Sequence, residues 1–336
     1  MMARGGSLAL LALWSWLLIR DHWQALPARV ALCMNLSIAF HVIATIPGPV
    51  SRDGATDWIV ELGAAAVPGF FWLFAKTWFN DERQLSAGSI GLVLLSVFMV
   101  AIHIAWFDAT GTVPPTAILM RGAMFAFAIA GLWEAWRGRE GDLIEARQVL
   151  RLRLILSVGT YVILTNAAEI LVYSGSVPPV VKSFIEFGIL ALTWALCAAM
   201  FGLRQGDLFA ASRTPLPLEL PTSDDPLVAR LRAHMEGQRP HRDETMTIAK
   251  LAGQLGEPEY RLRRLINGQM GYRNFSAFLN GYRLAEVKTA LADPAQRLVP
   301  ILTIALDAGF GSLGPFNRAF REAESMTPTE FRSTRA

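Results

Sequence analysis

Ala308–Phe320 reads AGFGSLGPFNRAF, and the organisation of the chain turns on what its glycines do. Gly309, Gly311 and Gly314 spell G-x-G-x-x-G. In a dinucleotide-binding unit that spacing follows a strand, opens a helix and sits in a βαβ element of about 30 residues. The preceding ILTIAL (301–306) has the composition of a strand. Yet only 22 residues follow Gly314, too few for a helix, a returning parallel strand and the rest of a sheet. The same letters read as helix, turn, helix. Ile301, Ile304, Ala305 and Ala308 share one face at helical spacing, Gly309 and Gly311 turn the chain, and GPFNRAFREAE starts a second helix with Pro315 in its first turn. Phe316 and Phe320, four apart, face inward, and Asn317, Arg318 and Arg321 face outward.

Working outward, the pattern occurs twice. In TMTIAKLAGQLGEPEYRLRRLING (245–268), Ile248, Leu251, Ala252 and Leu255 line one helix face, Gly256 ends that helix and Pro258 begins the next. The second helix mixes Tyr260, Leu262, Leu265 and Ile266 with Arg261, Arg263 and Arg264. Two short helices joined by a tight glycine-containing turn make a helix-turn-helix, whose second helix lies in the DNA major groove. Between the two units, FSAFLNGYRLAEVKTALAD predicts a longer helix over about 275–292 that stops at Pro294 and spans roughly 27 Å. Upstream, DPLVARLRAHMEG (225–237) opens with an aspartate cap and Pro226, and sets Leu227, Val228, Leu231 and Met235 on one face. Leu262, Leu265, Phe275, Phe278, Leu302, Phe310, Phe316, Phe320 and Phe331 are read as core.

In this order and spacing, IAKLAGQLG, YRLRRLI, FSAFLNGYRLAEVKTAL, ILTIALDAGFGS, FNRAFR and MTPTEF make residues 225–336 resemble the DNA-binding domain of AraC/XylS-type transcriptional regulators. The resemblance covers about a third of the chain. It implies seven helices in two subdomains held by the long linking helix, each subdomain placing one helix in the major groove of double-stranded promoter DNA. It assigns the DNA-reading positions to Tyr260, Arg263 and Arg264 in the first unit and to Leu313, Gly314, Asn317 and Arg318 in the second. An arginine reaches guanine O6 and N7 with two hydrogen bonds, Asn317 suits adenine, and Leu313 suits a thymine methyl. The second set departs from the family pattern, since Leu313 and Gly314 replace hydrogen-bonding side chains; the first helix is therefore expected to discriminate sequence more. Ser325 stands where the family often has glycine before the TP turn.

The chain before residue 205 is of another kind. The whole sequence of 336 residues is 53% hydrophobic and 18% charged, with mean hydropathy +0.35, whereas soluble domains carry about a quarter charged residues. The apolar excess lies before 205. Basic and acidic residues balance over 1–212, and 225–336 carry a small basic excess that permits a nucleic-acid partner. Seven apolar runs approach the roughly 20 residues a membrane crossing needs: 6–20, 28–47, 57–79, 87–107, 115–136, 153–174 and 183–203. The first has Arg4 ahead of it but no small-x-small cleavage site, so it reads as an uncleaved helix. Trp23, Trp58, Trp78, Trp106, Trp133, Trp136 and Tyr173 sit near run ends, as interfacial rings do. Pro68 predicts a kink in the third run. Alternate connections concentrate Arg20, Arg29, Lys76, Arg83, Arg137, Arg139, Arg147, Arg151, Arg153 and Arg204, which makes that side cytoplasmic, puts the N-terminus outside and brings the C-terminal domain to where DNA is. The expected location is the bacterial inner membrane.

Asn35, His41, Glu61, His103, Arg121, Asn166, Glu169 and Glu186 fall within the apolar runs. Such residues face a bundle interior, either as interhelical hydrogen bonds or as a ligand- or proton-sensing pocket, for which His103, Asn166 and Glu169 are the candidates. Cys33 and Cys197 have neither disulfide nor metal spacing and read as small buried side chains. Residues 205–224, QGDLFAASRTPLPLELPTSD, alternate prolines with apolar residues and form an extended, stiff linker.

The expectation is an all-α chain: a seven-helix transmembrane bundle over 1–204, the linker over 205–224, and the DNA-binding domain over 225–336. No nucleophile–base pair, metal cluster or phosphate loop stands in a supporting context, so neither an enzyme, a cofactor nor a metal is expected. The function read is a membrane-anchored regulator of transcription that answers a small-molecule or physical signal. Its partners are promoter DNA, membrane lipid, RNA polymerase and a second copy of itself. Dimerisation in the membrane, or proteolysis in the linker, would carry the signal. The rival reading is a membrane transporter or membrane enzyme with a regulatory helix-turn-helix tail.

Overall fold

The computed structural model describes residues 2–44, 54–80, 84–112, 114–144, 147–160, 187–188, 191–195 and 225–335. Among these residues every regular element is helical; two residues, Asp142 and Asn274, form an isolated antiparallel bridge. The chain divides into two units, one of residues 1–139 with 146–211 and the other of 140–145 with 212–336.

In the first unit, α1 (Met2–His22), α2 (Leu26–Ala44), α3 (Gly54–Ala65), α4 (Val67–Phe79), α5 (Ala87–Thr110) and α6 (Ala117–Arg137) are followed by a helical stretch over 147–160. Among the described residues four segments are long and apolar enough to cross a membrane: Leu26–Ala44, Gly54–Phe79, Ala87–Thr110 and Ala117–Arg137. The expected spans over 153–174 and 183–203 lie largely outside the described residues, as does the whole 205–224 linker. The break between α3 and α4 falls at Ala66, beside Pro68. Proline has no N–H for the previous turn, and the ladder resumes with Phe70 N donating to Ala66 O at 2.9 Å. Ser86 caps α5 by accepting from Ser89 N.

Trp14, Leu18, Ala31, Phe71, Phe74, Trp78, Leu150 and Leu154 form the unit's core, while Leu94, Phe98, Ile118 and Leu119 on α5 and α6 point outward. Such an apolar outer surface belongs to a helix solvated by lipid or covered by protein. At Gly131 on α6 a Cβ would lie 2.5 Å from the Phe71 ring of α4, so any side chain there would force that buried ring to move. Asn35 donates to Ser15 Oγ at 3.1 Å, an interhelical bond of the kind expected.

Arg147 and Arg151, counted in the sequence as interfacial positive charges, are fully buried. Arg147 donates to Trp78 O at 3.0 Å; Arg151 donates to Phe79 O at 2.6 Å and Ala135 O at 3.1 Å. They cap the C-terminal carbonyls of α4 and α6, which no intrahelical N–H reaches. Cys33 corrects the expectation of burial: it lies exposed on α2.

Among its described residues the second unit holds seven α-helices, α7 (Pro226–Gly237), α8 (Ile248–Leu255), α9 (Glu259–Gly268), α10 (Phe275–Ala292), α11 (Ile301–Asp307), α12 (Leu313–Glu324) and α13 (Pro328–Arg335), with 3₁₀ turns at Pro240–Arg242 and Pro294–Gln296. α10 serves two cores. Its first half gives Phe275, Phe278, Leu279 and Tyr282 to a core with Leu227, Leu231, Met235, Leu251, Leu262 and Ile266. Its second half gives Leu284, Val287 and Leu291 to a core with Ile304, Ala305, Phe310, Phe316, Phe320 and Phe331. Leu302 is not core: at 42% exposed it lies off the Ile304–Ala305 face, because two residues turn a helix by about 200°.

Candidate nucleic-acid interface

Each helix-turn-helix is fixed by its caps. Thr247 starts α8 by accepting from Lys250 N at 3.2 Å. Gly256 ends it in the left-handed conformation, with Glu257 N bonding back to Ala252 O at 3.0 Å. Glu257 then holds Arg230 at 2.7 Å and Arg261 at 3.0 Å, which ties Arg261 to the turn. In the second unit Gly309 has φ +97°, and a Cβ there would lie 2.4 Å from His241 O. This glycine serves a close backbone approach rather than a phosphate. Phe310 N closes α11 on Ala305 O at 3.0 Å, and Phe316 and Phe320 anchor α12 from beneath. The TPTE run at 327–330 is a capping box: Glu330 accepts from Thr327 N at 2.7 Å, and Thr327 Oγ1 accepts from Glu330 N at 3.2 Å. These backbone and side-chain bonds hold the Glu330 carboxyl below the usual range.

Tyr260 and Arg264 on α9 are open to solvent, Tyr260 at 65%. On α12, Leu313, Gly314 and Arg318 are exposed and Asn317 is half-buried. Arg263 is different. It is 9% exposed, pairs with Glu259 one turn back, and donates to Glu140 O at 2.9 Å and to Asp142 O. Residues 140–144 lie across the start of α10: Leu143 N donates to Arg273 O at 3.0 Å and Phe275 N to Gly141 O at 2.8 Å. Nothing in the local sequence signals this pairing, because a short irregular stretch bonding to residues far along the chain has no periodic pattern. Of the sensing candidates, His103 lies partly exposed on α5 with Nδ1 buried and unbonded, and Asn166 and Glu169 lie outside the described residues.

A family model described as a helix-turn-helix domain matches residues 251–334, spanning α8 to α13. These residues form an AraC-type helix-turn-helix domain. The transcriptional regulator Rob of Salmonella typhimurium (strain LT2) is 32% identical over 92 residues, 27% of this chain and 30% of Rob. The chain therefore spans less than a third of that relative's length, and the likeness bears on the AraC-type domain alone. No solved structure gives a significant match.

Proposed function

We propose that the chain is a membrane-anchored, sequence-specific DNA-binding regulator of transcription that couples a signal sensed in or across the membrane to gene expression. The observation that carries this reading is the arrangement of the AraC-type domain. Two helix-turn-helix units are joined through one helix, α10, and each presents side chains able to reach base edges. On α9 these are Tyr260 and Arg264; on α12 they are Leu313, Asn317 and Arg318. Arg264 and Arg318 offer guanidinium forks to guanine or phosphate, Asn317 an amide to adenine, Leu313 a methyl surface to thymine, and Tyr260 a ring. The likeness to Rob, a transcriptional regulator, supports the same reading. Anchoring is supported by the four apolar helices among the described residues; the seven apolar runs and the Lys/Arg asymmetry of the sequence support an outside N-terminus and a cytoplasmic AraC-type domain.

Chromatin immunoprecipitation of the tagged full-length protein, with membrane and soluble fractions blotted in parallel, tests both halves. Discrete DNA peaks with the protein in the membrane fraction are expected. Absence of peaks under every growth condition, with uptake of a solute lost on deletion, would favour a transporter instead.

A further inference from the structure

The second unit is discontinuous in sequence. It takes in residues 140–145, which follow α6 and precede the 147–160 helix, both of the first unit. This hexapeptide, EGDLIE, carries three acidic residues. Its described part is seated rather than grazing. Asp142 is fully buried, Leu143 is 2% exposed and belongs to the core formed by Leu231, Leu262 and Phe278, and Ile144 N bonds to Asp142 Oδ1 at 3.1 Å. The backbone pairs with residues 273–275 through the two bonds that flank the Asp142–Asn274 bridge. That is the closer, non-hydrogen-bonded type of antiparallel pair.

What the segment holds is Arg263. The guanidinium spends four of its five N–H donors on two carbonyls of the segment and on Glu259. Tyr260 and Arg264, three residues before and one after on the same helix, stay open. A guanidinium engaged this way keeps one N–H at most, too few for the two bonds to guanine O6 and N7, and the bound segment puts acidic chain beside the helix that would meet phosphates.

We infer that residues 140–144 are an intramolecular occupant of the first helix-turn-helix, and that this strap and DNA compete for Arg263. This rests on the DNA-binding reading above. Because the strap is continuous in chain with α6 and the 147–160 helix, displacement of those helices would draw it off. That gives the apolar half a direct covalent handle on DNA affinity, in contrast to signalling through the 205–224 linker. Apparent affinity then scales with the fraction of molecules whose strap is open.

The test uses the full-length protein in phosphatidylcholine–phosphatidylglycerol bilayer discs, in a Cys33→Ser/Cys197→Ser background. Asp142→Cys with Asn274→Cys places a cysteine pair across the bridge. The DNA probe is the duplex that the reduced form enriches from a randomised 30-base-pair library. Oxidation is expected to weaken binding about tenfold or more, and dithiothreitol to restore it. Leu143→Asp, which ejects the strap by burying a charge, is expected to bind the same duplex more tightly than wild type. If the oxidised and reduced forms bind equally, with the disulfide confirmed by mass spectrometry, competition is overturned while DNA binding stands. If the reduced form enriches no sequence at all, the DNA-binding reading itself fails, and the inference with it.

Discussion

Arg283, midway along α10, donates from Nε to His241 O at 2.7 Å and from Nη2 to Asp243 O at 3.0 Å. Its guanidinium also lies 5.7 Å from the centre of the Phe310 ring. One buried side chain thus ties the 3₁₀ turn after α7 to the first residues beyond α11, where the two subdomains join. Burial pushes its pKa down, against the pull of Asp243 and Glu244. Arg283→Met removes the donors and leaves buried carbonyls unpaired. A loss of about 2–4 kcal/mol is expected, seen as a lower urea midpoint for the AraC-type domain. Arg283→Lys should recover only part, since an ammonium cannot reproduce the fork.

Ser325 has φ +56° at the end of α12, in the left-handed region that costs a residue with a Cβ about 1 kcal/mol. Its position one residue after the last turn is where glycine ends helices. Ser325→Gly should therefore stabilise by roughly 0.5–1 kcal/mol, even though glycine loosens the unfolded chain. Thermal unfolding reads this directly; a lower midpoint would show that the serine side chain makes a compensating contact.

Acid should loosen the second unit. Glu330 has its folded pKa depressed by its bonds to Thr327, so its contribution is present above the ordinary glutamate pKa and is lost as pH falls through the folded value. His241 is buried and shifted down by desolvation, although its bond to Glu286 at 2.9 Å pulls the other way. Its neutral form is favoured in the fold, so protonation as pH drops below the ordinary histidine value also destabilises. Both signs agree. Chemical denaturation at pH 7 and pH 4 should give a lower midpoint at pH 4, and His241→Gln with Glu330→Gln should flatten the difference.

Arg264→Ala should lower affinity for a specific duplex by about 1–3 kcal/mol and relax preference at one base position. If Arg264 contacts only phosphate, specific and random duplexes weaken alike and the salt slope falls by about one. Selection from a randomised library, run on wild type and variant, separates the two.

Arg151→Leu should lower the thermal midpoint of the full-length protein in detergent, because the carbonyls of Phe79 and Ala135 lose their donor in a buried setting. A cost of about 1–3 kcal/mol is expected. Arg153→Leu, two residues on and on the exposed side, is the control that should leave the midpoint in place.

Much of the second unit was legible because its signals are local. Asp225 with Pro226 announces a helix start; Gly256 and Gly309 announce turns; Phe316 and Phe320 announce a face. The linking helix ran Phe275–Ala292, as its pattern and Pro294 required. What failed to show was contact between residues far apart in sequence. Leu302 looked apolar enough for the core and lies outside it, since a seven-residue helix buries only one narrow face. Arg147 and Arg151 looked like surface charges and are caps, because a carbonyl acceptor in another helix leaves no mark beside them. Arg263 looked like its neighbour Arg264. The strap that separates their environments lies more than a hundred residues away, and its sequence is that of an ordinary polar loop.

The most direct measurement is a fluorescence anisotropy titration of the full-length protein in bilayer discs. It compares a duplex from its strongest chromatin peak with a scrambled duplex of equal length at one salt concentration. A regulator that reads bases through α9 and α12 should prefer the matched duplex by about a thousandfold or more. Equal affinity for the two duplexes would contradict sequence-specific recognition by the AraC-type domain.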